Sequence, residues 1–152
     1  MKYLITKYLS EGEKICTNQK STIMDLNNAN KYFKDAIKLI SNTFDTNQLS
    51  VIFYDIAKSY SQKGIFNIAN IFFKEAIYYC ENNNIRVDNY IYIKRDYARN
   101  LYSSLNLDEA LIEYYSLIEY CKSNNYEGTA EFYEKVAKIN DIIISLNQTI
   151  TL

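Results

Sequence analysis

The sequence predicts an all-α domain built of paired helices, and three observations carry that prediction. Proline is absent and only 3 glycines occur in 152 residues, so few hairpin turns or sheet corners can be built. Apolar residues make up 48% of the chain and recur at three- and four-residue steps, the spacing of one helix face. One block of this pattern returns: Ala29, Ala69 and Ala110 stand 40 and 41 residues apart, with Phe33, Phe73 and Tyr114 and then Ile37, Ile77 and Ile118 at matching offsets. Ile77 to Cys80, with Asn83 and Asn84 beyond, is likewise mirrored by Ile118 to Cys121 with Asn124 and Asn125.

Taken in order, residues 2–16 carry Tyr3, Leu4, Tyr8, Leu9, Ile15 and Cys16 on one face and predict an amphipathic helix, with Gly12 as its weak point. Residues 18–22 are polar and read as a connection. Asp25 is the expected cap of a second helix through Ala29, Phe33, Ala36, Ile37 and Ile40. Residues 42–47 form a loop, 48–63 a third helix and 65–82 its partner. A run of three asparagines, Asn82 to Asn84, breaks the pattern before a helix from Val87 to Leu105. Residues 107–123 pair with that helix, with Asp108 expected as cap. After Asn124 and Asn125, residues 129–146 make a last helix, matched to the others through Tyr133, Val136, Ala137 and Asn140. The tail from Asn147 to Leu152 continues no period and is expected to fray.

The densest part of the pattern runs from Phe53 to Cys80. Large residues (Phe53, Tyr60, Phe73) alternate with small ones (Ala57, Ala69, Ala76) where two helix backbones must approach, and Gly64 sits where the first helix ends. This stretch resembles a tetratricopeptide (TPR) repeat, whose signature is a large residue, Leu-Gly, Tyr, then Ala, an aromatic and Pro. Phe53 stands where the signature has Trp and Ala57 where it has the first Gly; Glu81 stands near the place of the absent Pro. The 40-residue spacing exceeds the common unit of about 34 residues, so the resemblance is to long-unit branches of the family. It implies a right-handed α-α superhelix over residues 1–152, a single TPR-like domain. Three helix hairpins (about 2–42, 47–82 and 87–123) would be closed by a capping helix at 129–146. In the first unit Gly12 lies far ahead of Ala29, so its leading helix is expected to be out of register or set apart by an insertion.

Chemistry is constrained by what is missing. Histidine is absent, which removes Ser-His, Cys-His and histidine-metal arrangements, and the glycines are isolated rather than grouped as a phosphate-binding loop. Cys16, Cys80 and Cys121 contain no C-x-x-C pair, and Cys80 and Cys121 occupy equivalent repeat positions that suit packing. Paired glutamates such as Glu109 and Glu113, or Glu131 and Glu134, read as helix-surface charge. No catalysis, cofactor or metal is therefore expected. A formal net charge of −1 gives no general drive toward nucleic acid or an anionic membrane. With no signal-peptide core and no long apolar run, a cytoplasmic location in a reducing compartment is expected.

In such repeats the leading helices line the concave side. Asn89, Tyr92, Arg95, Arg99 and Tyr102 share one stripe of the third leading helix; Tyr54 and Lys58 hold the matching register on the second, and Lys138 on the last. The trailing helix contributes Asp108, Glu109, Glu113 and Glu119, so a basic, tyrosine-rich groove with an acidic back is expected. Arginine pairs grip carboxylates or phosphates through forked hydrogen bonds, and tyrosines supply apolar contact area. The expected role is a scaffold or adaptor that holds a protein or peptide segment, acidic in character, in this groove. Two other readings stand beside it. One is a peptide-sensing regulatory domain resembling the pheromone-receptor TPR proteins of bacteria, and the other a structural protein that assembles with copies of itself.

Overall fold

The computed structural model describes residues 1–150 and is all-helical, with seven helices and no strand among those residues. They are α1 (Lys2–Thr17), α2 (Ile23–Thr43), α3 (Thr46–Gln62), α4 (Phe66–Glu81), α5 (Val87–Ser103), α6 (Leu107–Ser123) and α7 (Ala130–Ile150). Each helix packs on its neighbours in sequence, most extensively α1 on α2, α3 on α4 and α5 on α6, and α3 also touches α5.

Local chemistry sets the helix ends. At α2, Thr22 rather than Asp25 is the cap: its hydroxyl accepts from the Asp25 amide at 3.2 Å, and the Asp25 carboxylate accepts from the Thr22 amide at 2.9 Å. Asp25 is the reciprocal partner of a capping box, a role its sequence position allows equally well. Asn106, not Asp108, holds the cap position of α6; Asp108 lies in the first turn, where a carboxylate suits the positive end of the helix dipole.

The C-terminal ends of α3, α5 and α6 share one device. Gly64 at φ +76°, Leu105 at φ +63° and Asn125 at φ +54° each turn left-handed. The amides of Ile65, Asn106 and Tyr126 then reach back five residues to the carbonyls of Tyr60, Leu101 and Cys121 at 2.9–3.0 Å. This is the Schellman closure. It stops α5 at Ser103, ahead of the Leu105 expected from the apolar period.

Leu105 occupies in the third unit the place Gly64 holds in the second, and its side chain is 79% exposed. A leucine there bears the left-handed backbone cost with little packing in return, so Leu105→Gly is expected to stabilise the fold by about 0.5–1 kcal/mol. Urea denaturation of the two proteins checks this.

Gly12 is no weak point. It is buried within α1, and a Cβ there would come within 2.6 Å of the Phe33 ring on α2. Close backbone approach requires a residue without a side chain, as at other crowded helix crossings. Counted back from the helix ends, Gly12, Ala57 and Ala98 hold equivalent places before Thr17, Gln62 and Ser103. Ala29 follows Gly12 by five residues more than Ala69 follows Ala57 or Ala110 follows Ala98: the α1–α2 connection, residues 18–22, is two residues longer than 63–65 and 104–106, and α2 begins three residues further ahead of its alanine.

The core runs through all the helix pairs. Ala29, Ala36, Ala57, Ala69, Ala76, Ala98 and Ala110 are completely buried and let the helices close up around Phe33, Phe53, Phe72, Phe73, Tyr114 and Phe132. Phe72, unremarked in the repeat pattern, is a hub: its ring lies 6.1 Å from Phe33, 6.2 Å from Phe53 and 6.0 Å from Tyr60. Cys80 and Cys121 are buried, and burial pushes the Cys80 thiol up to about 11, away from the thiolate form.

On α7 the buried residues are Phe132, Val136 and Ile139, whereas Tyr133 and Ala137 face outward. The inward face of the last helix is therefore rotated by one position from the match expected. The helix also continues to Ile150 instead of fraying from Asn147, since no glycine or proline interrupts it and the Thr149 hydroxyl bonds back to the Ser145 carbonyl at 3.0 Å. The last two positions of the expected tail, 151 and 152, lie outside the described residues.

Candidate functional site

The contact between α3 and α5 brings together residues that are far apart in sequence. Tyr54 from α3 meets Asn89, Tyr92 and Arg95 from α5, with Val51, Asp55 and Ile93 completing the walls of a cleft of about 530 Å³. A second cleft of about 330 Å³ is lined by Lys58, Ser61 and Gln62 of α3, Arg95, Asp96 and Arg99 of α5, and Phe73 of α4. Arg95 lines both. Of the stripe expected on α5, Asn89, Tyr92, Arg95 and Arg99 line these two clefts together with Tyr54 and Lys58 of α3, while Tyr102 lines neither.

The charge of this surface differs from the basic groove expected. Asp96, absent from the expected groove residues, is its hub. Its carboxylate accepts from the Tyr54 hydroxyl, from Nε and Nη2 of Arg95 at 3.2 Å each, and from Nη1 of Arg99 at 3.4 Å. Arg99 also grips Glu131 of α7 through Nε at 2.8 Å and Nη2 at 2.6 Å. Both arginines thus serve as ties within the fold, Arg99 joining α5 to α7. Burial first, then the hydrogen bond to Asp96, holds the Tyr54 phenol well above its usual range, so it remains a neutral donor.

Cations over aromatic faces continue the pattern on either side. Lys58 Nζ lies 5.3 Å from the Tyr54 ring centroid, the Arg95 guanidinium 5.1 Å from that of Tyr92, and Lys135 Nζ 4.2 Å from that of Tyr102. Among the described residues neither Lys58 nor Lys135 has a carboxylate at ion-pair distance. Lys138 lines neither cleft; its ammonium pairs with Glu134 one turn earlier at 2.9 Å on an exposed face. Tyr102 is half-buried further along the α5–α7 seam.

Glu113 also departs from the expected acidic back. It turns inward to Lys94 of α5, Oε2 lying 2.5 Å from Nζ, with the lysine side chain only 8% exposed. Asp108, Glu109 and Glu119 are exposed as expected. Asp96 left a signal in the sequence, standing next to Arg95 and three residues before Arg99 on one helix, whereas only the packing of α7 on α5 reveals that Glu131 holds Arg99.

Among the described residues no group of acidic or cysteine side chains can hold a metal ion, and no helix is long and apolar enough to cross a membrane. The chain matches no family model, no curated protein and no solved structure.

Proposed function

We propose that this chain is a TPR-like helical-repeat domain that holds a peptide segment of a partner protein along the surface shared by α3, α5 and α7. In this reading the pairs α1–α2, α3–α4 and α5–α6 stack as a right-handed superhelix and α7 closes it. The shared turn at Gly64 and Leu105, and the aromatic at Phe33, Phe73 and Tyr114, support a repeated unit.

The observation that carries the functional reading is the α3–α5 cleft, where Tyr54, Asn89, Tyr92 and Arg95 converge. An extended peptide presents amides and carbonyls that an asparagine side chain can pair with, and side chains that tyrosine faces can cover. Arg95 spends only part of its donor fork on Asp96 and retains Nη1 for a ligand. Because the arginines also hold the fold together, removing them confounds binding with stability. Tyr92 and Asn89 are exposed and serve better.

Peptides selected from a degenerate acidic pool by affinity to the wild type should bind Tyr92→Ala/Asn89→Ala about tenfold or more weakly, a loss of roughly 1.4 kcal/mol. The variant should melt within about 2 °C of the wild type, since surface changes cost little. Equal affinity for the two proteins overturns the proposal.

A further inference from the structure

Half a turn from its buried alanines, α2 carries Asn27, Lys31, Lys34 and Lys38 at steps of four, three and four residues, so the four share its outward face. The same repeat positions on α6 are Asp108, Ile112, Tyr115 and Glu119, again opposite a buried stripe. All eight side chains are exposed. From the first helix pair to the third, one outward stripe thus changes from cationic to acidic and apolar.

Among the described residues none of Lys31, Lys34 and Lys38 has a carboxylate at ion-pair distance. Asp35, half-buried at the edge of the stripe, leaves it two positive charges in surplus, and Asp25 is taken up in the capping box. On α6, Ile112 is 65% and Tyr115 49% exposed, an apolar pair in the middle of the outward face. Asp108, Glu109 and Glu119 surround the pair, and Lys122, 3.5 Å from Glu119, leaves them two negative charges in surplus. Glu113 is turned inward on Lys94 and adds nothing to this face. A lysine stripe repels a copy of itself and an acidic stripe does the same, whereas each complements the other.

We propose that both faces are covered by second copies of this chain, the α2 lysine stripe of one molecule lying along the α6 stripe of the next. The lysine stems cover Ile112 and Tyr115 while their ammonium groups reach Asp108 and Glu119. Lysine over a tyrosine ring is a contact this fold already makes, Lys58 on Tyr54 at 5.3 Å and Lys135 on Tyr102 at 4.2 Å. Because the two faces differ, the contact is heterologous, and a bound copy still offers one face to a third. One helix face on another stays below the roughly 1,200 Å² of stable complexes, so the association is weak and reversible. No groove residue takes part, and the inference stands apart from the peptide reading.

Sedimentation of the full chain tests this. The weight-average mass should rise by about half or more between roughly 20 and 500 μM at low salt, and fall back toward the monomer in about 1 M salt, where charges are screened within some 3 Å. Two variants separate the faces: Lys31→Glu/Lys34→Glu/Lys38→Glu reverses the α2 stripe, and Tyr115→Lys/Glu119→Lys makes the α6 stripe basic. Only exposed side chains change, so each variant should melt within about 5 °C of the wild type, and each alone should stay monomeric. Mixed in equal amounts, the acidic α2 of the first meets the basic α6 of the second, and the wild-type mass should return. A wild type that remains monomeric over this range, its stripes left to some other partner, overturns the proposal. So does a variant that associates as the wild type does, or a mixture that stays monomeric.

Discussion

Phe73→Ala is expected to destabilise the protein by about 3–5 kcal/mol and to lower its melting temperature by roughly 10 °C. Phe73 is 1% exposed on α4, in the middle of the helix order, and its ring lies 6.3 Å from Tyr54 on α3 and 5.9 Å from Tyr97 on α5. Truncation removes the transfer free energy of the ring and leaves a cavity between three helices. Two of them carry the walls of the candidate groove, so collapse around the cavity would disturb Tyr54 and, through it, Asp96. Phe73→Leu, which conserves most of the volume, should cost less than half as much. Thermal or chemical denaturation of the three proteins reads the result, and a near-neutral Phe73→Ala would contradict the packing.

Glu113→Ala is the second large effect, at about 3 kcal/mol. Its carboxylate neutralises Lys94, whose side chain is almost fully enclosed between α5 and α6. Removing one partner of a buried pair leaves the other charge without compensation, a loss of about 3–5 kcal/mol in well-enclosed cases. The lower end applies here because the Glu113 side chain is 21% exposed and water can reach the site. The double variant Lys94→Met/Glu113→Leu replaces the pair by apolar groups of similar size and should lie within about 1 kcal/mol of the wild type. The resulting double-mutant cycle separates the two effects: single changes that simply add would show that the pair is not coupled.

The sequence made the helices legible because their signals are local. Apolar spacing, asparagine breaks and the alanine–aromatic repeat each act within a few turns, and the helix boundaries follow them closely. Gly12 shows where local reading fails: a glycine inside a helix suggests weakness until the Phe33 ring, on another helix, is seen to need its space. Leu105 fails for the opposite reason, since nothing in a leucine advertises a left-handed turn; only its equivalence to Gly64 does.

The candidate site was half legible. Periodicity correctly placed Asn89, Tyr92 and Arg95 on one face opposite Tyr54, but a helix stripe carries no information about what its charges already hold. Asp96 holds both arginines from their own helix, one and three residues away, whereas Glu131 reaches Arg99 only when α7 meets α5, and the expected excess of positive charge shrinks to Lys58 and Lys135. Lys138 shared the register yet pairs with its own helix neighbour, Glu134, away from the clefts. Likewise, the inward turn of Glu113 depends on Lys94, a lysine placed among buried apolar residues of α5.

Amide hydrogen exchange, with and without a bound peptide from the acidic pool, tests the central claim most directly. Slowing concentrated along α3, α5 and α7, around Tyr54, Asn89, Tyr92 and Arg95, is the predicted result. Slowing on α2, α4 and α6 with those helices unchanged would contradict it.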